Sequence, residues 1–338
     1  MKAAVLKDKR NMVIEEVPDP KAGPGEVIIK MKYVGICGSD LHLFATGLLP
    51  PDTIMGHESA GVVAEVGEGV EDWEAGDRVA IYGGLSCKKC FWCKRGQTNL
   101  CRDVGGIGLG DMPGGYAELL RAFPEQMVKV PDGVSLSDAT LLDPFSTAVH
   151  AVVLSGFQIR DTAVVMGAGP IGLCIIQQLK LAGARVVIAT ELVEKRAKAA
   201  KDFGADIVMD PNDDVLGAMD KLTGGVGADY VFECVGIPDT TQEAFSLVRR
   251  AGKVVLVGVC MEPATVMPVF WVLKEVAMQT AMGFVRSEFE SSLDLIHKGV
   301  LKTEGLVTET VSLDRLPDAF ERLLSPNDEI KVLVEYDD

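Results

Sequence analysis

The sequence is short of imidazole, of positive charge and of long apolar runs. It holds 4 histidines in 338 residues, so imidazole chemistry is confined to a few positions. Lys and Arg number 33 against 49 Asp and Glu, a net charge of −16. A field of that sign repels phosphate backbones and anionic headgroups, which argues against nucleic acid and membrane surfaces as partners. No stretch reaches the ~18 uninterrupted apolar residues of a membrane helix. The opening Met1-Lys2-Ala3-Ala4-Val5-Leu6-Lys7-Asp8 carries charge where a secretory segment needs apolar residues. Cys37, Cys174, Cys234 and Cys260 are scattered, which fits a reducing, cytoplasmic setting. What remains is an ordinary globular balance, 48% hydrophobic and 24% charged. The length predicts two domains.

The other four cysteines are concentrated. Cys87, Cys90, Cys93 and Cys101 follow the spacing C-x2-C-x2-C-x7-C. Four thiolates so close in sequence suit one tetrahedral, closed structural zinc. Two disulfides are the rival reading, and a zinc module gripping nucleic acid is another. The absence of secretory signals disfavours the first, and the acidic charge disfavours the second.

Short alternating segments such as Val27–Val34 and Ser59–Val66, broken by Gly and Pro, predict irregular and mostly antiparallel β structure up to about residue 145. From about Asp161 the rhythm changes. Apolar runs at Ala163–Met166, Val186–Thr190, Ile207–Met209, Tyr230–Cys234, Val254–Val257 and Met278–Met282 alternate with helical patterns such as Ile171–Leu181 and Glu194–Phe203. That alternation predicts an α/β doubly wound parallel sheet. A tail from about Phe289, ending in the strand Lys331–Glu335, is too short for a domain and is expected to rejoin the first one.

Gly167-Ala168-Gly169-Pro170-Ile171-Gly172 carries G-x-G-x-x-G between a predicted strand and helix. Gly167 allows the tight turn, Gly169 the approach of a pyrophosphate, and Gly172 close helix packing. Pro170 and Ile171 open the helix, whose N-terminus favours anions. Glu191 follows at the end of the next strand, where a carboxylate accepts from a ribose 2′-OH and repels a 2′-phosphate. NAD is therefore expected over NADP. Lys195 and Arg196 lie nearby on a charged helix and temper that preference; Arg196 is grouped with the cofactor contacts, as is Val257 at the end of its strand. The run Gly105–Gly110 has no preceding strand or following helix and reads as a flexible loop.

Cys37-Gly38-Ser39-Asp40-Leu41-His42 and Gly56-His57-Glu58 offer a second cluster of metal-binding types. Together with Gly76-Asp77-Arg78-Val79, the cysteine lobe and the Gly167–Gly172 turn, these motifs resemble the zinc-dependent medium-chain dehydrogenase/reductases, of the alcohol, polyol and threonine dehydrogenase kind. The resemblance covers nearly the whole chain. It implies a GroES-like, mostly β catalytic domain over residues 1–148 with its zinc lobe near 86–102. A Rossmann domain over 149–288 and a return of 289–338 to the first domain complete that expectation.

The resemblance also implies two zinc ions per chain, one structural and one catalytic. Cys37 and His57 match catalytic ligands, and Asp143 the third, at a position where classical members have cysteine. Glu58 matches an acid beside the metal and an alternate ligand, and Asp40 the carboxylate that orients His57. Ser39 and His42 match a proton relay, and Thr147 a residue packing against the nicotinamide. His150 and His297 match no ligand position. The activity implied is hydride transfer between NAD and a secondary alcohol, vicinal diol or polyol. An amino-alcohol such as threonine is the nearest rival substrate, and a non-catalytic, crystallin-like role the remote one. Phe44, Leu48, Leu49 and Trp271 are expected either as apolar substrate walls or as core or interface residues, and a homotetramer, or else a dimer, as the assembly.

Overall fold

The computed structural model describes residues 1–337. They form two compact units, one built from Met1–Asp143 and the tail from Val285, the other from Pro144–Phe284. The helix Leu142–Ser155 begins in the first and runs on into the second. The units close at Asp143 and Val285, a few residues ahead of the boundaries at 148 and 289 expected from sequence.

In the first unit the strand Val27–Gly35 is the axis of a seven-stranded sheet. On one side it pairs antiparallel with Glu58–Val66, and on the other with the tail strand Lys331–Glu335. The register sets Glu58 and Leu333 both opposite Gly35. The free edge of the tail is thereby used as an interior strand, bringing Lys331 from the far end of the sequence to Glu58. Register shifts at Ile28/Ile29 and Met31/Tyr33 mark bulges, which bend a strand and sharpen its twist. Beneath the sheet Phe44 and Tyr116 meet the Phe320 ring edge-on, at centroid distances of 5.2 and 5.7 Å. All three are fully buried.

The second unit is a six-stranded sheet with the order Ile207–Met209, Val186–Thr190, Thr162–Met166, Ala228–Glu233, Val248–Leu256, Ala277–Thr280. Every pairing is parallel. Its strand order reverses between Thr162–Met166 and Ala228–Glu233, the switch point at which such sheets bind ligands. The strand Val248–Leu256 starts six residues before its apolar run, and its polar first half, with Arg249, Arg250 and Lys253, slips register between Val248 and Lys253. The last strand spans Ala277–Thr280 rather than reaching Met282.

At the N-terminal pole of this sheet Asp229 joins three strands. Its carboxylate accepts from Thr162 N at 2.8 Å, from Thr162 Oγ1 at 2.7 Å and from Arg249 Nε at 2.7 Å. No described helix is long and apolar enough to cross a membrane.

Candidate active site and metal centres

The four-cysteine segment folds back on itself through two short helical turns, Cys93–Arg95 and Thr98–Leu100. All four are free thiols. Their sulfurs lie 3.5 Å (Cys90 to Cys93) and 3.9 Å (Cys87 to Cys93, Cys90 to Cys101) apart. A disulfide needs about 2.05 Å. Sulfurs bound at ~2.3 Å to one tetrahedral zinc stand about 3.8 Å from each other. The spacing is therefore that of a metal cage and excludes the disulfide reading. Backbone N–H groups of Cys93 and Cys87 point at the sulfurs of Cys90 and Cys101, at 3.5 and 3.4 Å. The Cys93 amide, aided by neighbouring thiols, brings the Cys90 thiol down to about 6, so the ligand form is favoured at neutral pH. All four sulfurs are used within the lobe, leaving no protein-derived opening for a substrate.

The second constellation is built on the helix Gly38–Thr46 and the start of the strand Glu58–Val66. Ligand atoms of Cys37, His57 and Glu58 all lie within 4.8 Å of one another. Cys37 is the N-cap of its helix, and its N–H donates to Asp40 Oδ2 at 3.1 Å. Asp40 is wholly buried and its other oxygen stands 3.2 Å from His57 Nδ1, without the alignment of a hydrogen bond. That contact turns Nδ1 toward the carboxylate and leaves Nε2 as the other ring nitrogen, the arrangement of metal-bound histidines. Burial pulls the His57 pKa down, but Asp40 and Cys37 outweigh it and hold the imidazole well above its ordinary value.

Two residues that sequence reasoning missed complete this shell. The Tyr116 hydroxyl lies 2.8 Å from Asp40 Oδ2 and 3.1 Å from the Gly35 carbonyl, fixing the carboxylate from below. Lys331 Nζ donates to both oxygens of Glu58, at 2.8 and 2.6 Å, and to the Ile36 carbonyl at 3.1 Å. The signal for Lys331 was a cation opening an apolar tail strand; for Tyr116 there was none beyond an aromatic after two glycines.

Asp143, the expected third ligand, is not among the three mutually close donors. It sits in the first turn of its helix, and its carboxyl is pushed up to about 7, chiefly by burial, with Glu58 and Asp40 adding to the rise and His57 and Lys331 opposing it. Cys37, Asp40, Glu58 and Asp143 thus share a pocket with one lysine and one imidazole. This donor set is short of positive charge and suits a divalent cation.

Ser39 and His42 lie one helical turn apart on the same helix and are half-buried; His42 Nδ1 is buried and without a hydrogen-bond partner among the described residues. Gly56 adopts φ 96, and a Cβ there would stand 2.8 Å from the Tyr116 ring. Gly108, at φ 74, would drive a Cβ into the Gly56 backbone at 2.6 Å. The 105–110 run is therefore packed under the His57 turn, and Gly105–Gly106 pairs with Gly84–Leu85, which corrects its reading as a flexible loop. Phe44 is 1% exposed and belongs to the core, while Trp271 stacks on Phe245 at 3.9 Å. Neither is a free substrate wall; Leu48, 66% exposed, is open to solvent.

In the second unit the glycine turn joins Thr162–Met166 to the helix Pro170–Leu181, with Gly169 as its N-cap. Gly167 adopts φ 84, and a Cβ on Gly172 would strike the Gly167 carbonyl oxygen. A Cβ on Gly169 would meet nothing within 4 Å, so the backbone there is open to a close ligand. Glu191 accepts from Ala168 N at 2.8 Å and from Leu192 N and Val193 N at 2.9 Å. Its carboxylate is thus tied to the glycine turn itself. Val257 N donates to the Glu233 carbonyl at 2.9 Å beside that crevice, Arg196 is half-buried on the helix Glu194–Asp202, and Thr147 is half-buried on Leu142–Ser155.

Residues 23–132 match the alcohol dehydrogenase GroES-like domain, and residues 170–298 the zinc-binding dehydrogenase domain. A sorbitol dehydrogenase of Bacillus subtilis is 34% identical over 99% of this chain and 97% of its own. An (R,R)-butanediol dehydrogenase of the same organism is 36% identical over 99% of both. The crystal structure of a putative zinc-binding dehydrogenase from Sinorhizobium meliloti 1021 bound to NADP superposes with a TM-score of 0.91, at 30% identity over 99% of each chain. The chain belongs to the zinc-dependent medium-chain dehydrogenases, the alcohol and polyol oxidoreductases that pair a GroES-like domain with a nicotinamide-dinucleotide fold.

Proposed function

We propose that the protein oxidises the secondary hydroxyl of a vicinal diol or polyol with NAD⁺, and reduces the corresponding ketone. The observation that carries this reading is the convergence of Cys37, His57 and Glu58 with Asp40 behind the imidazole. The diol and polyol activities printed for the B. subtilis relatives support the substrate class. Cys37, His57 and Asp143 would hold the catalytic zinc, with Glu58 the alternate ligand. The cysteine cage would hold a second, structural one. When bound, zinc would polarise the substrate hydroxyl and the nicotinamide would accept hydride.

Ser39 would take the hydroxyl proton and hand it toward His42, whose unpartnered Nδ1 is free to accept a hydrogen bond from the relay. Thr147 would pack against the nicotinamide. Glu191, fixed by three amides, would bind the adenosine ribose and turn away a 2′-phosphate, which favours NAD.

A second copy of the chain is the partner we propose for the edge strand Ala277–Thr280. Its outer ladder is unpaired, and Phe270, Val272, Leu273, Met278 and Met282 nearby are each more than half exposed. A homotetramer of such pairs, in the cytoplasm, fits the free thiols.

The test measures NAD⁺ and NADP⁺ reduction over 2,3-butanediol, sorbitol, threonine and simple secondary alcohols, on wild type and His57→Ala. Turnover of the diol or polyol with NAD⁺, lost in the variant together with one zinc, is the expected result. Unchanged turnover in His57→Ala would overturn the site; a response to NADP⁺ alone would overturn the role of Glu191.

A further inference from the structure

We propose that the second unit carries a separate anion-binding pocket, at the pole of its sheet opposite the glycine turn, suited to a small organic phosphate with an apolar body. A cavity of about 460 Å³ opens there, and its lining includes the cations Arg249, Arg250 and Lys274 together with the apolar Leu216, Val226 and Leu247. It lies at the N-terminal ends of Ala228–Glu233 and Val248–Leu256, whereas the turn at Gly167 lies at the C-terminal ends of the parallel strands. A strand of 6 residues separates the two poles by about 20 Å. A dinucleotide seated on the turn leaves the pocket vacant for another ligand.

The charge balance of the lining is opposite to that of the chain. Three cations face one lining carboxylate, Asp220, in a protein of net charge −16. Lys274 donates to the carbonyls of Phe245, Ser246 and Val248, at 3.2, 2.9 and 3.0 Å, and so stands as a fixed charge at the end of the helix Pro238–Leu247. Burial lowers its pKa first and the neighbouring Arg250 lowers it further, against the opposing pull of Asp220.

Each guanidinium is anchored at one end and open at the other. Arg249 uses Nε on Asp229 and Nη1 on the Arg250 carbonyl, and Arg250 uses Nη1 on the Leu273 carbonyl. Nη2 of Arg249 and both Nε and Nη2 of Arg250 have no acceptor among the described residues. They sit where the strand Val248–Leu256 slips register between Val248 and Lys253, and Ala251 there adopts φ 52, a left-handed conformation that alanine rarely adopts.

Paired guanidinium forks with free donors match the oxygens of a phosphate or carboxylate. A volume of this size exceeds what a bare oxyanion fills and falls in the range of small-molecule sites. The apolar lining residues, with Val226 60% exposed, supply the surface for the remainder of the ligand. Because the readout is binding, this inference stands or falls separately from the dehydrogenase reading.

The experiment titrates phenyl phosphate into the full-length, zinc-loaded protein saturated with NADH, by calorimetry, with inorganic phosphate and benzoate as parallel arms. The expected result is binding of phenyl phosphate more tightly than either comparison. Arg250→Ser and Val226→Asp should each weaken it about tenfold or more, the order of one charge-assisted hydrogen bond or one misplaced charge. NADH affinity and melting temperature should stay unchanged in both. No binding, equal binding of inorganic phosphate, competition with NADH, or indifference to both substitutions would overturn the proposal.

Discussion

Lys331 and Glu58 form an ion pair at 2.6 Å whose side chains are 2% and 1% exposed, although 273 residues separate them in sequence. Burial pulls the lysine pKa down, yet Glu58 and Cys37 outweigh it and hold the ammonium charged. Two buried charges so matched contribute little net stability over an apolar pair, but removing one strands the other. Lys331→Met is therefore expected to cost about 3–5 kcal/mol. The double variant Lys331→Met/Glu58→Gln should recover most of that loss. Chemical denaturation of the three proteins checks the sign; a double variant no more stable than the single one would refute the pairing argument.

The Tyr116 hydroxyl bears on the proposed catalytic zinc site through Asp40. Tyr116→Phe keeps the ring against Gly56 and Phe320 and deletes only the hydroxyl, with its hydrogen bonds to the Asp40 carboxylate and the Gly35 carbonyl. Partners that orient a metal-bound histidine typically carry about 10–100-fold in metal affinity or activity. The variant should lose zinc to a chelator faster, with a fall in kcat rather than a rise in KM, and little change in fold. An unaltered chelation rate would show that Asp40 is positioned without the tyrosine.

The strands that make the nucleotide-binding sheet were legible because each is a short apolar run between a turn and a helix. The run preceding Gly167 and the tail strand Lys331–Glu335 lie where the alternation put them. Legibility failed where a residue's role depends on what arrives from elsewhere in the chain. Lys331 reads as a strand-edge charge until the tail pairs with Val27–Gly35, and only that pairing delivers it to Glu58. Phe44 and Trp271 stood open between substrate wall and core because exposure cannot be read from residue type; packing against Phe320 and Phe245 consumes them. The Gly105–Gly110 run resembled a loop because its function is close approach to Gly56, which leaves no local pattern.

Within the cysteine lobe, Cys101 is the buried member and receives the Cys87 amide at 3.4 Å. Cys101→Ser replaces a thiolate by a hydroxyl that binds zinc far less well at neutral pH. The zinc content should fall by one per chain and the melting temperature with it, while the His57 site keeps its metal. Elemental analysis after gel filtration, with thiol titration under denaturing conditions, reads both. In the wild type all eight thiols should react on metal removal; four fewer would revive the disulfide reading.

Asp229 offers a pH test away from both proposed metal centres. Burial tends to raise its pKa, but the Arg249 ion pair and the Thr162 hydrogen bonds outweigh it and hold the carboxyl below its ordinary value. A group depressed in the folded state adds stability above its unfolded pKa, about 3.9, and loses it as pH falls through the folded value. The contribution is thus complete at neutral pH and fades below about pH 4. With Asp229 and Arg249 side chains 22% and 29% exposed, Asp229→Asn should cost about 1–3 kcal/mol at pH 7, the range for a charge-assisted bond lost from a partly buried site. The difference between wild type and variant should shrink as the pH is lowered toward acid unfolding. Denaturation midpoints measured from pH 7 downward decide it: a gap that stays constant or widens in acid would mean that the charge of Asp229 is not what ties Thr162–Met166 to its neighbours.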